Sequence, residues 1–191
     1  MSSFLAVKEA SMTPRALCFI DGSNNYAAIK ALNLYIDYIA LSKYLKEHYN
    51  LLRIYYYTAL PPFNKPSDLT RIMGFISYNG YTIVSRTIKE YVQANGLVQT
   101  KGNMDVEIAV DMLTMSKYVD EIILFSGDGD FTYALKTLKY MGKQVTIFST
   151  VCTTPPICSQ ELRKEADIFI DLASSLDFMS NFPPNHLGKT L

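Results

Sequence analysis

Several aspartates lie directly after apolar segments that are typical of buried strands. Asp21 follows the apolar run 16–20, and Asp128 and Asp130 follow the run 121–126. If both strands belong to one parallel sheet, their carboxyl ends meet at the same edge, so these three carboxylates approach one another. Asp105 opens a helical pattern over 103–117 and shares its inward stripe with Met112, which places a fourth carboxylate toward the interior.

Carboxylates that converge in one pocket repel each other, so one of them keeps its proton or a cation binds among them. Ligand sets made only of oxygen favour Mg²⁺ or Mn²⁺, and both ions also bind phosphate oxygens. The chemistry that this pattern indicates is metal-assisted hydrolysis of a phosphodiester, which needs no nucleophilic side chain.

The same residues have structural interpretations that their spacing leaves open. An Asp-Gly pair after a strand is typical of a turn or of a helix N-cap. Asp105 would also complement the dipole of its own helix. Other metal and nucleotide motifs are excluded by single residues. A haloacid-dehalogenase phosphatase needs a second aspartate where this chain has Ser23, and an EF-hand loop starting at Asp128 needs a carboxylate at its twelfth position, which is Lys139. No Walker-type phosphate loop occurs.

Strand-like and helical patterns alternate along the chain. We predict strands at 16–20, 51–59, 81–88, 121–126, 144–149 and 167–172, and helices at 24–33, 37–48, 67–78, 103–117, 130–141 and 157–165. This alternation is typical of an α/β sandwich with a mostly parallel central sheet. Such sheets bind ligands at the carboxyl ends of their strands, where the strand order reverses.

Length and composition predict one globular domain. The chain has 191 residues, of which 49% are hydrophobic, and no apolar run approaches the ~20 residues that span a bilayer. The 18 basic residues equal the 18 acidic ones, which excludes a uniformly basic surface. Three Cys and two His are too few for a structural zinc site or a disulfide framework, so the cytoplasm is the expected compartment. We divide the chain into a lead-in (1–14), a domain (15–175) and a tail (176–191).

An ordered set of motifs resembles the NYN domains of the PIN-like nuclease superfamily, and among these the bacterial LabA-like group. The matching pieces are FIDGSNNY (19–26), KGNMDVEIAVDML (101–113), ILFSGDGDFTYAL (123–135), GKQVTIF (142–148) and LRKEADIFIDL (162–172). The resemblance implies a Rossmann-like, three-layer α/β/α fold of PIN type. It also implies a ribonuclease that depends on Mg²⁺ or Mn²⁺.

Carried over by position, the resemblance assigns roles to individual residues. The metal ligands would be Asp21, Asp105 and Asp128, with Asp130 in support. Supporting or substrate-binding roles would fall to four further residues: Asn24, as a hydrogen-bond partner of Asp21 or of the substrate, Ser126, Lys101 and Asp111.

Three positions deserve separate treatment within these motifs. Asp111 lies six residues after Asp105, or about 240° around the helix, which predicts an outer or surface position. Asp167 begins a strand and therefore lies at the opposite edge, where a structural role is expected. At position 103, many relatives have an apolar residue where this chain has Asn103. We expect Asn103 and the loop or hairpin at 91–103 to affect how the substrate fits more than the chemistry of cleavage.

The resemblance implies that the substrate is RNA, and we expect this RNA to be single-stranded. Withdrawing four acids into a metal site leaves 18 basic residues against 14 acidic ones on the rest of the chain. Lys101, just before the Asp105 helix, is the first candidate for a phosphate contact. Other candidate phosphate contacts are Lys65, Arg71, Arg86, Lys89 and Lys136, and candidate stacking residues are Tyr55, Tyr56, Tyr57, Phe63 and Tyr91.

Two other functions fit the same motifs. One is a regulatory module that keeps the fold but binds RNA or protein without catalysis. The other is a phosphatase for small molecules, which would need a closed pocket. The 14 Tyr and eight Met are compatible with a homodimer, although nothing in the sequence places its interface.

Overall fold

The computed structural model describes residues 13–60, 68–92, 98–101, 103–175 and 177–181. Ten strands and six α-helices occur in this part of the chain. The strands are β1 (Arg15–Asp21), β2 (Tyr35–Ile36), β3 (Asn50–Leu60), β4 (Tyr81–Thr87), β5 (Lys89–Val92), β6 (Val98–Lys101), β7 (Glu121–Phe125), β8 (Gln144–Ser149), β9 (Ile168–Asp171) and β10 (Met179–Ser180). The helices are α1 (Gly22–Leu32), α2 (Tyr38–His48), α3 (Asp68–Tyr78), α4 (Asp105–Met115), α5 (Thr132–Tyr140) and α6 (Gln160–Glu165).

Six strands form one central sheet in the order β4-β3-β1-β7-β8-β9. Every neighbouring pair in it is parallel. The chain builds outward from β1 in one direction through β3 and β4, and then in the other through β7, β8 and β9. The order therefore reverses between β1 and β7, which makes this pair the topological switch point of the sheet.

Helices cover both faces of the sheet, and β1 shows how alternation assigns them. Cys18 and Ile20 pack in one core with α1, α2 and α3, whereas Leu17 and Phe19 pack in a second core with α4, α5 and α6. Successive side chains of a strand point to opposite faces. Asp21 continues the Leu17–Phe19 row, so β1 presents it on the side of α4.

Side-chain caps explain where several helices begin. Asp37 accepts hydrogen bonds from the backbone N–H groups of Ile39 and Ala40 at the start of α2, and Ser159 accepts one from Leu162 at the start of α6. These acceptors satisfy N–H groups that have no partner within the helix. Asn33 ends α1 in the left-handed conformation with φ of 53°, which Asn tolerates better than most residues.

The structure confirms the predicted three-layer α/β/α class, with the central sheet wholly parallel. The pairing of β2 with β10 was not predicted, whereas β5 and β6 form an antiparallel hairpin where a hairpin or loop was expected. Asp167 lies at the amino edge, where it accepts from the Val145 backbone at 2.8 Å and pairs with Lys139 at 3.7 Å. No helix in the described part of the chain has the length and apolarity needed to cross a membrane.

Candidate active site

The candidate site lies at the carboxyl ends of β1 and β7. In the pairing of β1 with β7, Ile20 lies opposite Phe125, so the next residues, Asp21 and Ser126, lie side by side at this edge of the sheet. After this point one chain segment enters α1 on one face, and the other leads to α5 on the opposite face. The two loops lead to opposite faces of the sheet, and a ligand-binding crevice is expected at such a switch point.

Asp21 is buried at this switch point, with 4% of its surface exposed. Its Oδ1 accepts from the Ser23 backbone at 3.1 Å, the Ser23 hydroxyl at 2.8 Å and the Asn24 backbone at 3.1 Å. Its Oδ2 accepts from the Ser126 hydroxyl at 3.1 Å. Asp21 thus caps α1 with one oxygen and faces the β7 loop with the other.

Two polar contacts tie the β1 and β7 loops together. The Ser126 hydroxyl donates to Asp21 and accepts from the Asp128 backbone N–H at 3.1 Å. The Asn24 side-chain oxygen accepts from the Gly127 backbone N–H at 2.8 Å. Asn24 contacts Asp21 through its backbone, whereas its side chain holds the neighbouring loop. These contacts set the path of the chain that carries Asp128.

Asp105, Asp128 and Asp130 form a carboxylate cluster at the same edge of the sheet. One carboxylate oxygen of each lies within 4.8 Å of those of the other two. Asp128 accepts from the Asp130 backbone at 3.0 Å, which starts a turn of 3₁₀-helix. Asp130 thus lies with two of the three predicted metal ligands, Asp105 and Asp128, whereas both oxygens of the third, Asp21, accept hydrogen bonds.

The cluster changes the acidity of Asp105. Partial burial raises the pKa of its carboxyl above the ordinary value, and the negative charges of Asp21, Asp128 and Asp130 raise this pKa further. A hydrogen bond from Asn103 acts in the opposite direction. Burial is the largest cause of the raised pKa, and the like charges that share the site add to it. A cation placed among these oxygens would remove that repulsion.

Asn103 contacts the cluster directly, which the sequence interpretation did not foresee. Its side-chain oxygen accepts from the Asp105 backbone at 3.1 Å, and its amide nitrogen donates to the Asp105 carboxylate. We had expected Asn103 to influence substrate fit. The signal that could have revealed this contact is the Asn-x-Asp spacing at a helix start, where Asn side chains commonly bond to the backbone two residues on.

Asp111 lies apart from the cluster, on another side of α4. It accepts a hydrogen bond of 2.7 Å from the hydroxyl of Tyr57, which lies next to Asp21 in the register of β1 and β3. Burial raises the pKa of the Tyr57 hydroxyl, and the Asp111 carboxylate raises it further. Asp111 therefore fixes α4 against β3, where it is half-buried and not on the open surface.

Two of the predicted phosphate contacts are engaged in ion pairs. Arg86 pairs with Glu107 of α4, and Lys136 pairs with Glu165 at 3.8 Å. The side chains of Lys101 in β6 and Lys89 in β5, and the whole of Lys65, lie outside the described residues. Arg71 is exposed on α3.

The tyrosines of β3 do not form the predicted stacking surface. Tyr56 and Tyr57 are buried, with 3% and 1% exposed, and Tyr55 stacks on Phe19 with ring centroids 5.5 Å apart. The prediction was wrong because β3 lies between β1 and β4, so helices cover both of its faces. Phe63 and the side chain of Tyr91 lie outside the described residues. Exposed tyrosines occur instead on the helices, as Tyr26 of α1 and Tyr133 of α5.

Asp171 is a strand-end aspartate that we did not single out. Its carboxylate accepts from the backbone of Val151 at 3.0 Å and of Ala173 at 2.9 Å. Partial burial opposes ionisation, but these hydrogen bonds outweigh it and lower the pKa of Asp171 below the ordinary range. Asp171 thus stabilises the loop after β8 and takes no part in the cluster.

The residues of the cluster suit a hard divalent cation. All three offer carboxylate oxygens, the cluster is only partly buried, and Asp130 is exposed to solvent. Mg²⁺ and Mn²⁺ bind through a few carboxylates while keeping several waters, which an open site of this kind permits.

A family model places these motifs in a known class. The NYN domain model matches residues 15–176, which include every carboxylate of the site. This chain belongs to the NYN domain family. NYN domains are part of the PIN-like nuclease superfamily, so the resemblance found in the motifs is confirmed.

Two known proteins are similar to this NYN domain over most of its length. The low amplitude and bright protein LabA of Synechococcus elongatus is 33% identical over 169 residues, which cover 86% of this chain and 87% of LabA. A crystal structure of a protein of unknown function from Vibrio parahaemolyticus superimposes with a TM-score of 0.71 at 24% identity, covering 90% of this chain and 99% of that one. The second likeness supports the fold alone.

Proposed function

We propose that this NYN domain is an endoribonuclease that hydrolyses RNA phosphodiester bonds with Mg²⁺ or Mn²⁺. The observation that carries the proposal is the meeting of Asp105, from the start of α4, with Asp128 and Asp130, from the loop after β7, at the switch point of the sheet. Repulsion among carboxylates makes such a grouping unfavourable without a cation. The family match supports the choice of nucleic acid as substrate.

Asp105, Asp128 and Asp130 would hold the ion, and Asp21 lies at the same edge of the sheet. A bound divalent ion would make a coordinated water more acidic and offset the charge that develops on the scissile phosphate. The protein's own task is to hold the carboxylates in place. Asp21 performs this through the Ser126 hydroxyl, which accepts from the Asp128 backbone.

The substrate would be RNA without base pairing, bound along an open crevice. Tyr26 of α1 is 64% exposed and lies a few residues after Asp21 in the chain. Tyr133 of α5 is 80% exposed and lies a few residues after Asp130. An exposed ring at such a position can stack on a base of any identity. We keep Lys101 as the proposed phosphate contact, since it lies four residues before Asp105.

The test is cleavage of an end-labelled single-stranded RNA with Mn²⁺ or Mg²⁺, by the wild type and by Asp128→Asn. We expect the variant to lose at least 100-fold in rate, because removal of an electrostatic contribution of this kind costs on the order of 10²–10³. The variant should remain folded, since the backbone contacts of Asp128 are unchanged. EDTA should abolish cleavage by the wild type.

Asp177→Asn is the matched control, because Asp177 is exposed and lies away from the site, near Tyr44 of α2. It should cleave at the wild-type rate. Equal cleavage by wild type and Asp128→Asn would reject the proposed site. RNA binding without cleavage by either protein would favour the regulatory module. Hydrolysis of nucleoside monophosphates in place of RNA would favour the phosphatase.

A further inference from the structure

Asn103 makes two contacts with one residue of the carboxylate cluster. Its side-chain oxygen accepts from the backbone N–H of Asp105, and its side-chain nitrogen donates to the carboxylate of that residue. An amide side chain can make both contacts because it has a donor and an acceptor on one planar group. A leucine could make neither, and a single hydroxyl could not replace both atoms.

The backbone contact determines which way the amide points. The N–H of Asp105 is a donor, so the atom of Asn103 that faces it at 3.1 Å must be the oxygen. The nitrogen is then left facing the carboxylate. The orientation of the amide, and with it the hydrogen bond to Asp105, thus follows from an atom whose chemistry is unambiguous.

A hydrogen-bond donor from Asn103 matters more for Asp105 than it would for the other carboxylates of the site. Asp105 is partly buried beside the like charges of Asp21, Asp128 and Asp130. The N-cap residue of α4, Met104, makes no side-chain hydrogen bond to the helix. Asp21 and Asp128 are held differently, through the Ser126 hydroxyl and the Asp130 backbone.

We infer that Asn103 is a positioning residue, which holds the Asp105 carboxylate in the orientation that binds the divalent ion. The inference rests on the proposed function. Hydrogen-bond partners of metal ligands typically change metal affinity 10–100-fold when they are removed. The expected loss of Mn²⁺ affinity is about tenfold, at the lower end of this range, because Asn103 is itself exposed to solvent.

The test measures Mn²⁺ binding by the electron paramagnetic resonance signal of free Mn²⁺, without any substrate. Asn103→Leu removes both contacts. Asn103→Ser keeps an acceptor for the backbone N–H at the start of α4, but its side chain is too short to bond the carboxylate as well. Asn79→Leu is the matched control: the Asn79 amide donates to the Phe75 carbonyl at 2.8 Å, after α3 and at the opposite edge of the sheet.

We expect Asn103→Leu and Asn103→Ser to bind Mn²⁺ about tenfold more weakly than the wild type, and Asn79→Leu to bind it equally well. Higher Mn²⁺ should restore cleavage by the Asn103 variants but not by Asp128→Asn. Wild-type affinity in a folded Asn103→Ser would overturn the inference and leave the proposed function intact, since only the start of the helix would then matter. A wild type that binds no Mn²⁺ would overturn both.

Discussion

Asp21 combines a structural task with its place in the site. It accepts three hydrogen bonds on one oxygen at the start of α1 and one from Ser126 on the other. Asp130 is exposed at the same edge of the sheet. The two carboxylates belong to the same candidate site but differ in burial. Their substitution should therefore separate stability from activity.

We expect Asp21→Ala to lower the free energy of unfolding by about 1–2 kcal/mol, since loss of an N-cap acceptor typically costs 0.5–2 kcal/mol. Cleavage should fall as well. Asp130→Ala should reduce cleavage on the order of 10–100-fold while its unfolding free energy stays within about 0.5 kcal/mol of the wild type. Urea denaturation and RNA cleavage check both variants. Wild-type stability in Asp21→Ala would contradict the assigned capping role.

At the scale of elements, the site depends on how closely the two strand-end loops pack. Gly127 follows Ser126, and a Cβ there would lie 2.5 Å from the Ile157 carbonyl oxygen and 2.7 Å from the Cys158 Cα. Gly22 is similarly close to β3, with 2.6 Å from its added Cβ to the Tyr57 carbonyl oxygen. At both glycines the nearest atom is a backbone carbonyl oxygen, which cannot move aside as a flexible side chain can. The loops therefore approach neighbouring chain segments more closely than any larger residue allows.

Gly127→Ala should destabilise the fold by about 1–3 kcal/mol, the usual cost of overpacking a buried position. Gly74→Ala is its control, because Gly74 lies within α3 and an added Cβ there meets no atom within 4 Å. It should stabilise the protein by up to about 1 kcal/mol, since Ala favours a helix over Gly. Urea denaturation gives both values. If the two substitutions changed stability in the same direction, the close packing of the β7 loop would be refuted.

Across the whole molecule, charge is balanced and locally paired. The chain carries 18 basic and 18 acidic residues. Arg86 and Lys136 are held by Glu107 and Glu165. The candidate site itself is acidic. Under the proposed function, RNA binding would therefore depend on a few cationic contacts, on stacking and on the ion, since equal numbers of acidic and basic residues exclude a uniformly basic surface.

The affinity for RNA should accordingly depend weakly on salt. Each phosphate contact with single-stranded RNA contributes about −0.7 to the slope of log K against log salt concentration, so two contacts give a slope near −1.4. Fluorescence anisotropy of a labelled RNA with Asp128→Asn, at constant Mn²⁺, measures this slope without cleavage. Tyr133→Ala should weaken the affinity with an unchanged slope, because stacking involves no counterion. A slope steeper than about −4 would show an extensive phosphate interface, which contradicts binding through a few cationic contacts.

Much of the fold could be predicted from local sequence, because burial imposes a period on each element. The runs 16–20, 121–126 and 144–149 are rich in apolar residues and became the central strands β1, β7 and β8. A parallel sheet requires its strand-end residues to share one edge, so the convergence of Asp21 with the loop of Asp128 followed from this order. The assignment of Asp167 to the opposite edge followed in the same way.

By itself, then, the sequence determined the class of fold, the family and the edge at which the carboxylates meet, because these depend on period, order and residue type. Only the tertiary structure decided that Asp130 joins Asp105 and Asp128, that Ser126 engages Asp21, and that Arg86 is held by Glu107. It also decided that the β3 tyrosines are buried, because β3 is an inner strand. Such facts depend on which segments become neighbours and where each side chain points, and neither is encoded in the local pattern of a single element.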